Sequence, residues 1–312
     1  ERAGIDTPLG GDAQCGENSA ARARRRGRIS LTAMKNHNHF LYRIGKIMDR
    51  HQINRWTIVT GFALALASFG ATAQDGRMSI SVGGEYSTGD YGTAQKTRIW
   101  TFPVAFKYES EQFSVGVSVP FVNVDGPGTV VPSGMGQAGG MRTSAFSPGD
   151  RSEFGIGDVL LTGSYRLSQE SPRGPRIDLV GKVKLGTGDR EDHLGTGEDE
   201  LAIQVDLEKT FGGTTLFGSV GYRMPDDPPG VNFHNVFYGS VGLGFNVSDQ
   251  TTLGFALNMQ DNLLPGTESP RDLTFFIRNK LNNAQRMTVY VSRGLSDGSP
   301  DWVVGVMMKF YP

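Results

Sequence analysis

Charged side chains in this chain fall at every second position of segments whose other positions are apolar. Asp158, Arg166, Asp178, Lys182, Lys184, Asp206 and Glu208 lie on one side of three such segments, with Val159, Leu161, Leu179, Val183, Val205 and Leu207 on the other. Glu85, Lys107, Arg223, Arg278 and Lys280 follow the same rule elsewhere. Acids and bases mixed on one wetted face can hold or pass a polar solute, or can pair across neighbouring strands and fill the space between them. They do not by themselves break bonds. Residues 74–312 hold only His193 and His234, with no H-E-x-x-H pattern, so no catalytic residue is assigned. An enzyme reading would be a membrane lipid hydrolase built on His234. Asp189, Glu191, Asp192, Glu198, Asp199 and Glu200 surround Gly-Thr-Gly repeats. Calcium, or cations bridging lipopolysaccharide, could bind there. The spacing is not that of an EF-hand, and the residues read as a solvated acidic loop, with no metal or cofactor expected.

The elements that must position these side chains read as strands. Alternation runs through Met78–Tyr86, Ile99–Tyr108, Phe113–Phe121, Gly157–Leu167, Arg176–Leu185, Glu200–Lys209, Thr215–Arg223, Val236–Val247, Thr251–Gln260, Asp272–Leu281, Arg286–Ser292 and Asp301–Tyr311. Short turns near 109–111, 168–175, 212–213, 248–250 and 282–285 alternate with long Gly-rich connections at 87–97, 122–156, 186–199, 224–235, 261–271 and 293–300. That asymmetry predicts an all-β, antiparallel up-and-down transmembrane barrel of about 12 strands, with short periplasmic turns and longer external loops. The longest connection, 122–156, is rich in Gly, Pro and Ser; it reads either as a mobile external loop or as a lid folded inward.

Aromatic residues bracket four strands at a spacing of eight: Trp100 and Tyr108, Phe113 and Phe121, Phe237 and Phe245, Trp302 and Phe310. Eight residues of strand rise about 27 Å, or roughly 20 Å along a membrane normal at ~40° tilt, near the ~25 Å apolar band of an outer-membrane barrel with its aromatic girdles. The pattern sets Trp100, Phe121, Phe237 and Trp302 at the outer edge and Tyr108, Phe113, Phe245 and Phe310 at the inner edge. A soluble sandwich or lipocalin-like barrel would instead turn its apolar positions inward.

The front of the chain has a different composition. Residues 1–73 hold 11 Lys and Arg against 5 Asp and Glu, which leaves 20 against 27 in residues 74–312, a net of −7. Met48 begins a signal-peptide pattern at 48–73. It consists of Arg50 and Arg55, the apolar run Trp56–Phe69, and a cleavage site at Ala71 and Ala73. Residues 1–47, with the Arg-rich run 22–28, read as a non-native upstream extension or a disordered basic segment, and 74–312 as the barrel. The one cysteine, Cys15, falls in the front piece. Export of this kind implies a Gram-negative outer membrane reached through the periplasm. The implied partners are outer-membrane lipid, lipopolysaccharide and the barrel-insertion machinery, with no nucleic acid. Gly305, Met308 and Phe310 suit the strand ending that such machinery reads.

Gly155-Ile156-Gly157-Asp158, continuing through Leu161 to Tyr165-Arg166-Leu167, resembles the outer-membrane barrel family named for the MetA pathway of phenol degradation. So do Lys184-Leu185-Gly186-Thr187-Gly188 and Leu194-Gly195-Thr196-Gly197, although Gly186 stands where the family pattern has proline. The resemblance covers most of residues 77–312. It implies an outer-membrane protein that passes small compounds, aromatic or hydrocarbon ones among them, and it supplies no catalytic residues. Two readings remain from the residues alone. One is a porin-like transporter for small solutes; the other is a filled barrel whose external loops bind a partner.

Overall fold

The computed structural model describes residues 76–92, 94–127, 130–132, 140–142 and 150–312. The signal peptide, the upstream extension and Cys15 lie outside the described residues. Every regular element described is a strand: β1 (Arg77–Gly89), β2 (Thr97–Glu109), β3 (Phe113–Pro127), β4 (Val130–Pro132), β5 (Gly140–Arg142), β6 (Asp150–Ile156), β7 (Val159–Ser168), β8 (Arg176–Leu185), β9 (Glu200–Phe211), β10 (Thr214–Pro225), β11 (Val236–Asn246), β12 (Thr251–Gln260), β13 (Arg271–Lys280), β14 (Gln285–Gly294) and β15 (Trp302–Phe310). Each strand from β7 to β15 pairs antiparallel with the next, and β15 pairs back onto β1. β3 is long enough to pair with two strands in turn, β7 through Phe113–Ser118 and β6 through Phe121–Pro127. β6 and β7 are therefore one stave of the barrel, interrupted at Gly157 and Asp158. The result is a closed barrel of 12 staves, in which β6, rising beyond β7, is paired on one side only, with β3.

Closure gives each strand an inner and an outer face, and period-two alternation assigns every residue to one of them. Ile80, Phe106, Val220, Val241, Phe275, Ile277, Val304 and Val306 are large, apolar and exposed on the outer face. The apolar cluster inside is small: Tyr91, Ile99, Val122, Val124 and Leu194. This inside-out distribution is what a lipid-facing barrel requires and what a soluble one would avoid. The bracket aromatics follow the same register. Tyr86 and Trp100 are cross-strand partners with ring centroids 4.8 Å apart, Tyr222 and Phe237 repeat that spacing on β10 and β11, and Tyr108 lies 5.8 Å from Phe113. Phe121 is opposite Phe102, one rung below Trp100 rather than level with it.

The strand bounds differ most in 122–156. β3 continues to Pro127 and β6 returns from Asp150, so the hairpin rises well past Phe121, with β4 and β5 pairing beyond it. The short turns are tied by side chains. Glu170, in the turn after β7, accepts a 2.7 Å bond from the Thr210 backbone N–H, which holds its carboxyl below the usual range.

Four aromatic rings on the inner wall lie across a glycine directly opposite: Phe217 on Gly242, Tyr238 on Gly221, Phe276 on Gly254 and Tyr290 on Gly305. A Cβ at Gly242 would stand 2.5 Å from both the Phe217 ring and the Phe255 carbonyl oxygen, whereas one at outward-facing Gly181 would meet nothing within 4 Å. Gly242→Val should therefore cost about 1–3 kcal/mol through overpacking, while Gly181→Val stays near neutral. Urea unfolding of both variants in detergent checks the contrast.

Candidate functional site

The wall around the long-loop end is built on a buried ion cluster. Asp158, in the break between β6 and β7, accepts bonds at one oxygen from the Gly188 N–H (2.9 Å) and at the other from Lys184 Nζ (2.9 Å) and the Thr196 N–H (3.1 Å). Lys184 also stands 3.8 Å from Glu200, its cross-strand partner. Glu200 receives the fork of Arg223, with one arm at 3.1 Å, and Arg223 donates its remaining arm to Gln260. Asp158, Lys184, Glu200 and Arg223 are all 5% exposed or less, and their formal charges cancel. Buried ions persist only when paired and fully hydrogen-bonded, as these are.

The same cluster draws the 186–199 connection inward. Gly186 and Gly188 pack against Gly197 and Gly195, where a Cβ would come within 2.3 Å and 2.9 Å of backbone atoms. A Cβ on Gly195 would fall 2.4 Å from the Asp158 carboxylate. The Thr187 hydroxyl donates to the Gly157 carbonyl (2.9 Å) and accepts from the Val159 N–H (3.0 Å). Leu194 then reaches Tyr91, Ile99, Val122 and Val124. The Gly-Thr-Gly repeats and the Gly-Ile-Gly-Asp motif are thus one interlocked unit. This corrects the expectation of a solvated acidic loop, since His193, Leu194, Thr196 and Asp199 are buried. Asp199 accepts from the Gly186 N–H (2.9 Å) and Asp189 from the Glu191 N–H (2.8 Å). Among the described residues, no group of three or more His, Cys, Asp or Glu could hold a metal ion.

Midway along the wall, Lys182 Nζ sits 5.3 Å from the centre of the Tyr238 ring. The Tyr238 hydroxyl donates to Gln204 (2.7 Å), and Gln204 in turn donates to Asp206. On the facing strands Tyr290 donates to Glu85, Asn258 donates to Asp272 (2.7 Å), and the Phe217 and Phe276 rings meet at 6.1 Å. At the short-turn end, Asp178 receives Arg166 (3.1 Å) and Arg176 (2.8 Å), and Arg176 also reaches Glu208 (3.3 Å). A register shift in β7 between Arg166 and Ser168 accompanies that contact. Lys107 pairs with Glu109 at 3.4 Å, and these groups border a cavity of 160 Å³ that Thr162 and Ser164 help to line.

The sequence-derived residues therefore fall into separate groups. Asp158, Lys184 and Arg223 meet at the long-loop end. Lys182 and Glu85 lie along the middle, and Asp206 stands directly opposite Asp178 beside the short-turn cavity. Lys107, Arg166, Asp178 and Glu208 stand at the short-turn end, with Arg278 and Lys280 on a different stretch of its wall. Sequence reasoning missed Arg176, Gln204, Tyr238, Gln260, Tyr290, Arg286 and Lys309, although alternation alone places Lys309 on the inner face. It also missed that Gly294-Leu295-Ser296-Asp297-Gly298 spells G-x-S-x-G. Those letters activate a serine only on a strand-to-helix turn. Here they join β14 to β15, and the Ser296 hydroxyl donates to the Ser269 carbonyl at 2.8 Å.

No protein-family model and no curated protein matches the chain. Among solved structures, an outer-membrane channel from Pseudomonas putida F1 is similar at 12% identity and a TM-score of 0.55, over 76% of this chain and 96% of that one. The NanC porin is similar at 8% identity and a TM-score of 0.48, over 74% and 98% of the two chains. The likeness to the Pseudomonas channel shows the fold alone.

Lys184→Met would leave Asp158 and Glu200 with one cation between them, at an expected cost of about 3–5 kcal/mol. Replacing exposed Lys280 by Met should cost less than about 1 kcal/mol. Urea unfolding in micelles measures both.

Proposed function

We propose that this chain is a passive channel of the Gram-negative outer membrane for small solutes, with its short turns in the periplasm and its long loops outside. The observation that carries this reading is the two-faced wall. The outer face is apolar, and the inner face holds charges of both signs from one end to the other. Lys and Arg near a bilayer midplane cost about 2–4 kcal/mol on the lipid side, so a wall of this composition is kept for water and what water carries. Glu85, Lys107, Lys182, Asp206, Glu208, Arg278 and Lys280 then border the path. Asp158, Lys184 and Arg223 hold the inturned 186–199 segment that narrows it. Aromatic or hydrocarbon solutes, which the family resemblance implies, have an apolar station at the Phe217 and Phe276 rings. Lipid and lipopolysaccharide meet the outer face, and the insertion machinery meets β15.

The inward packing of the 186–199 segment favours a second reading, a filled barrel whose outer loops bind a partner. Planar bilayers separate the two. Folded protein should give unitary conductance steps and pass small neutral and charged solutes into liposomes. Absence of both from folded protein would overturn the channel and leave the filled barrel.

A further inference from the structure

Arg278, Lys280, Arg286 and Lys309 stand together on three adjacent strands of the inner wall at the short-turn end. Lys280 is directly opposite Arg286, Arg286 is directly opposite Lys309, and Arg278 lies one rung above Lys280. Arg77 joins them from β1. The Tyr311 ring lies among three of these cations, 4.7 Å from the Arg77 guanidinium, 5.2 Å from that of Arg286 and 5.1 Å from Lys309 Nζ. Its backbone N–H is bonded to the Ala284 carbonyl at 2.8 Å, which fixes the start of that side chain. Arg278 rests 5.5 Å above the Phe276 ring.

Like charges directly opposite on a sheet repel, and this cluster carries two such pairs in a row. Among the described residues no carboxylate comes within 4.0 Å of any of the five cations. The acids nearest by register are Glu109, opposite Arg77, and Asp249, in the turn whose Gln250 accepts from the Lys280 N–H. Glu109 is paired with Lys107 instead. Elsewhere on the wall the arrangement is the opposite: Arg166 and Arg176 share Asp178, and Lys184 and Arg223 share Glu200. Arg278, Lys280 and Arg286 are exposed, so their forks and ammonium are free to meet a ligand.

We propose that this cluster is a binding station for small polycarboxylate anions at the periplasmic mouth of the barrel. Its place in transport rests on the channel reading above, whereas the binding itself does not. Arginine forks accept carboxylates through paired bonds. Cross-strand neighbours stand roughly 5 Å apart, so the cations present separate points of contact. That suits several carboxylates on one molecule better than a single compact oxyanion. A bound polyanion also relieves the repulsion between the cations. Anionic headgroups of the inner leaflet offer related chemistry from a second source, and the test separates the two.

Wild-type protein in uncharged detergent, titrated calorimetrically with citrate at low ionic strength, should show saturable binding, with none for glycerol. Lys280→Gln/Arg286→Gln/Lys309→Gln should weaken citrate by about tenfold or more, and Arg286→Lys, which keeps the charge but loses the fork, should weaken it less than Arg286→Gln. Circular dichroism checks that the triple variant is folded. If it is not, Arg278→Gln/Lys280→Gln, at two exposed positions, takes its place. In neutral phosphatidylcholine bilayers under a KCl gradient, the wild-type reversal potential should have the sign of anion preference and move toward zero in the variant. Absence of saturable citrate binding, or equal binding by the folded variant, overturns the station. A charge effect seen only with phosphatidylglycerol present, without citrate binding in micelles, assigns the cluster to lipid and overturns it too. Citrate binding without conductance overturns the channel reading alone.

Discussion

Everything in this protein depends on the fact that a closed antiparallel sheet has only two faces, and that one of them cannot hold charge. Once β15 pairs with β1, no residue of a strand can move from one face to the other without shifting the register of the whole stave. The lipid-compatible face takes Ile80, Val220, Ile277 and Val306, which leaves the acids and bases of the same strands to the interior. Their positions there are dictated by the outer face. How they are compensated is then decided by local register.

At the long-loop end, register and glycine act together. Lys184 and Glu200 are cross-strand partners, and Arg223 follows from the next strand, so a ladder of alternating charge forms across β8, β9 and β10. Asp158 completes it only because the stave it belongs to is broken between β6 and β7, which frees backbone to bend toward the interior. The facing glycines then allow the 186–199 connection to lie within bonding distance of that carboxylate. A side chain at Gly195 would occupy the space of the Asp158 oxygens. The inward packing of this connection is therefore a consequence of missing side chains as much as of charge.

The barrel was legible in the sequence because period-two alternation is a local signal repeated in every strand. The bounds of β8 and β12 agree with it to the residue. β6 was not legible. Asp150–Ile156 carries only two alternating apolar residues, Phe154 and Ile156, and its partner is the end of β3. The inturned loop was hidden for a related reason. Six acidic residues in a Gly-rich stretch look solvated until the partners of Asp199 and Glu200 are known, and those partners lie on other segments. Leu194, a lone apolar residue in a polar connection, was the one local sign of burial. Tyr238 and Tyr290 were hidden because an aromatic on the inner face reads as an exception until the opposing glycine is seen.

Two clusters on the wall resolve the same constraint differently, the buried ions at the long-loop end and the exposed cations of β13 and β14 at the short-turn end, beside which Asp178 pairs with Arg166 and Arg176 on another stretch. Burial at the long-loop end leaves no water to solvate an ion, so each charge there needs a partner and the partners lock the loop. At the short-turn end Arg278, Lys280 and Arg286 are exposed, and hydration substitutes for pairing. Water screens their mutual repulsion enough for three strands to carry it, which the buried end could not tolerate. A compensated cluster has no capacity left for a ligand, whereas a hydrated like-charge cluster gains by meeting one. The rigid part of the wall and its receptive part are thus set by the same variable, the access of water to charges that the lipid-facing strands have turned inward.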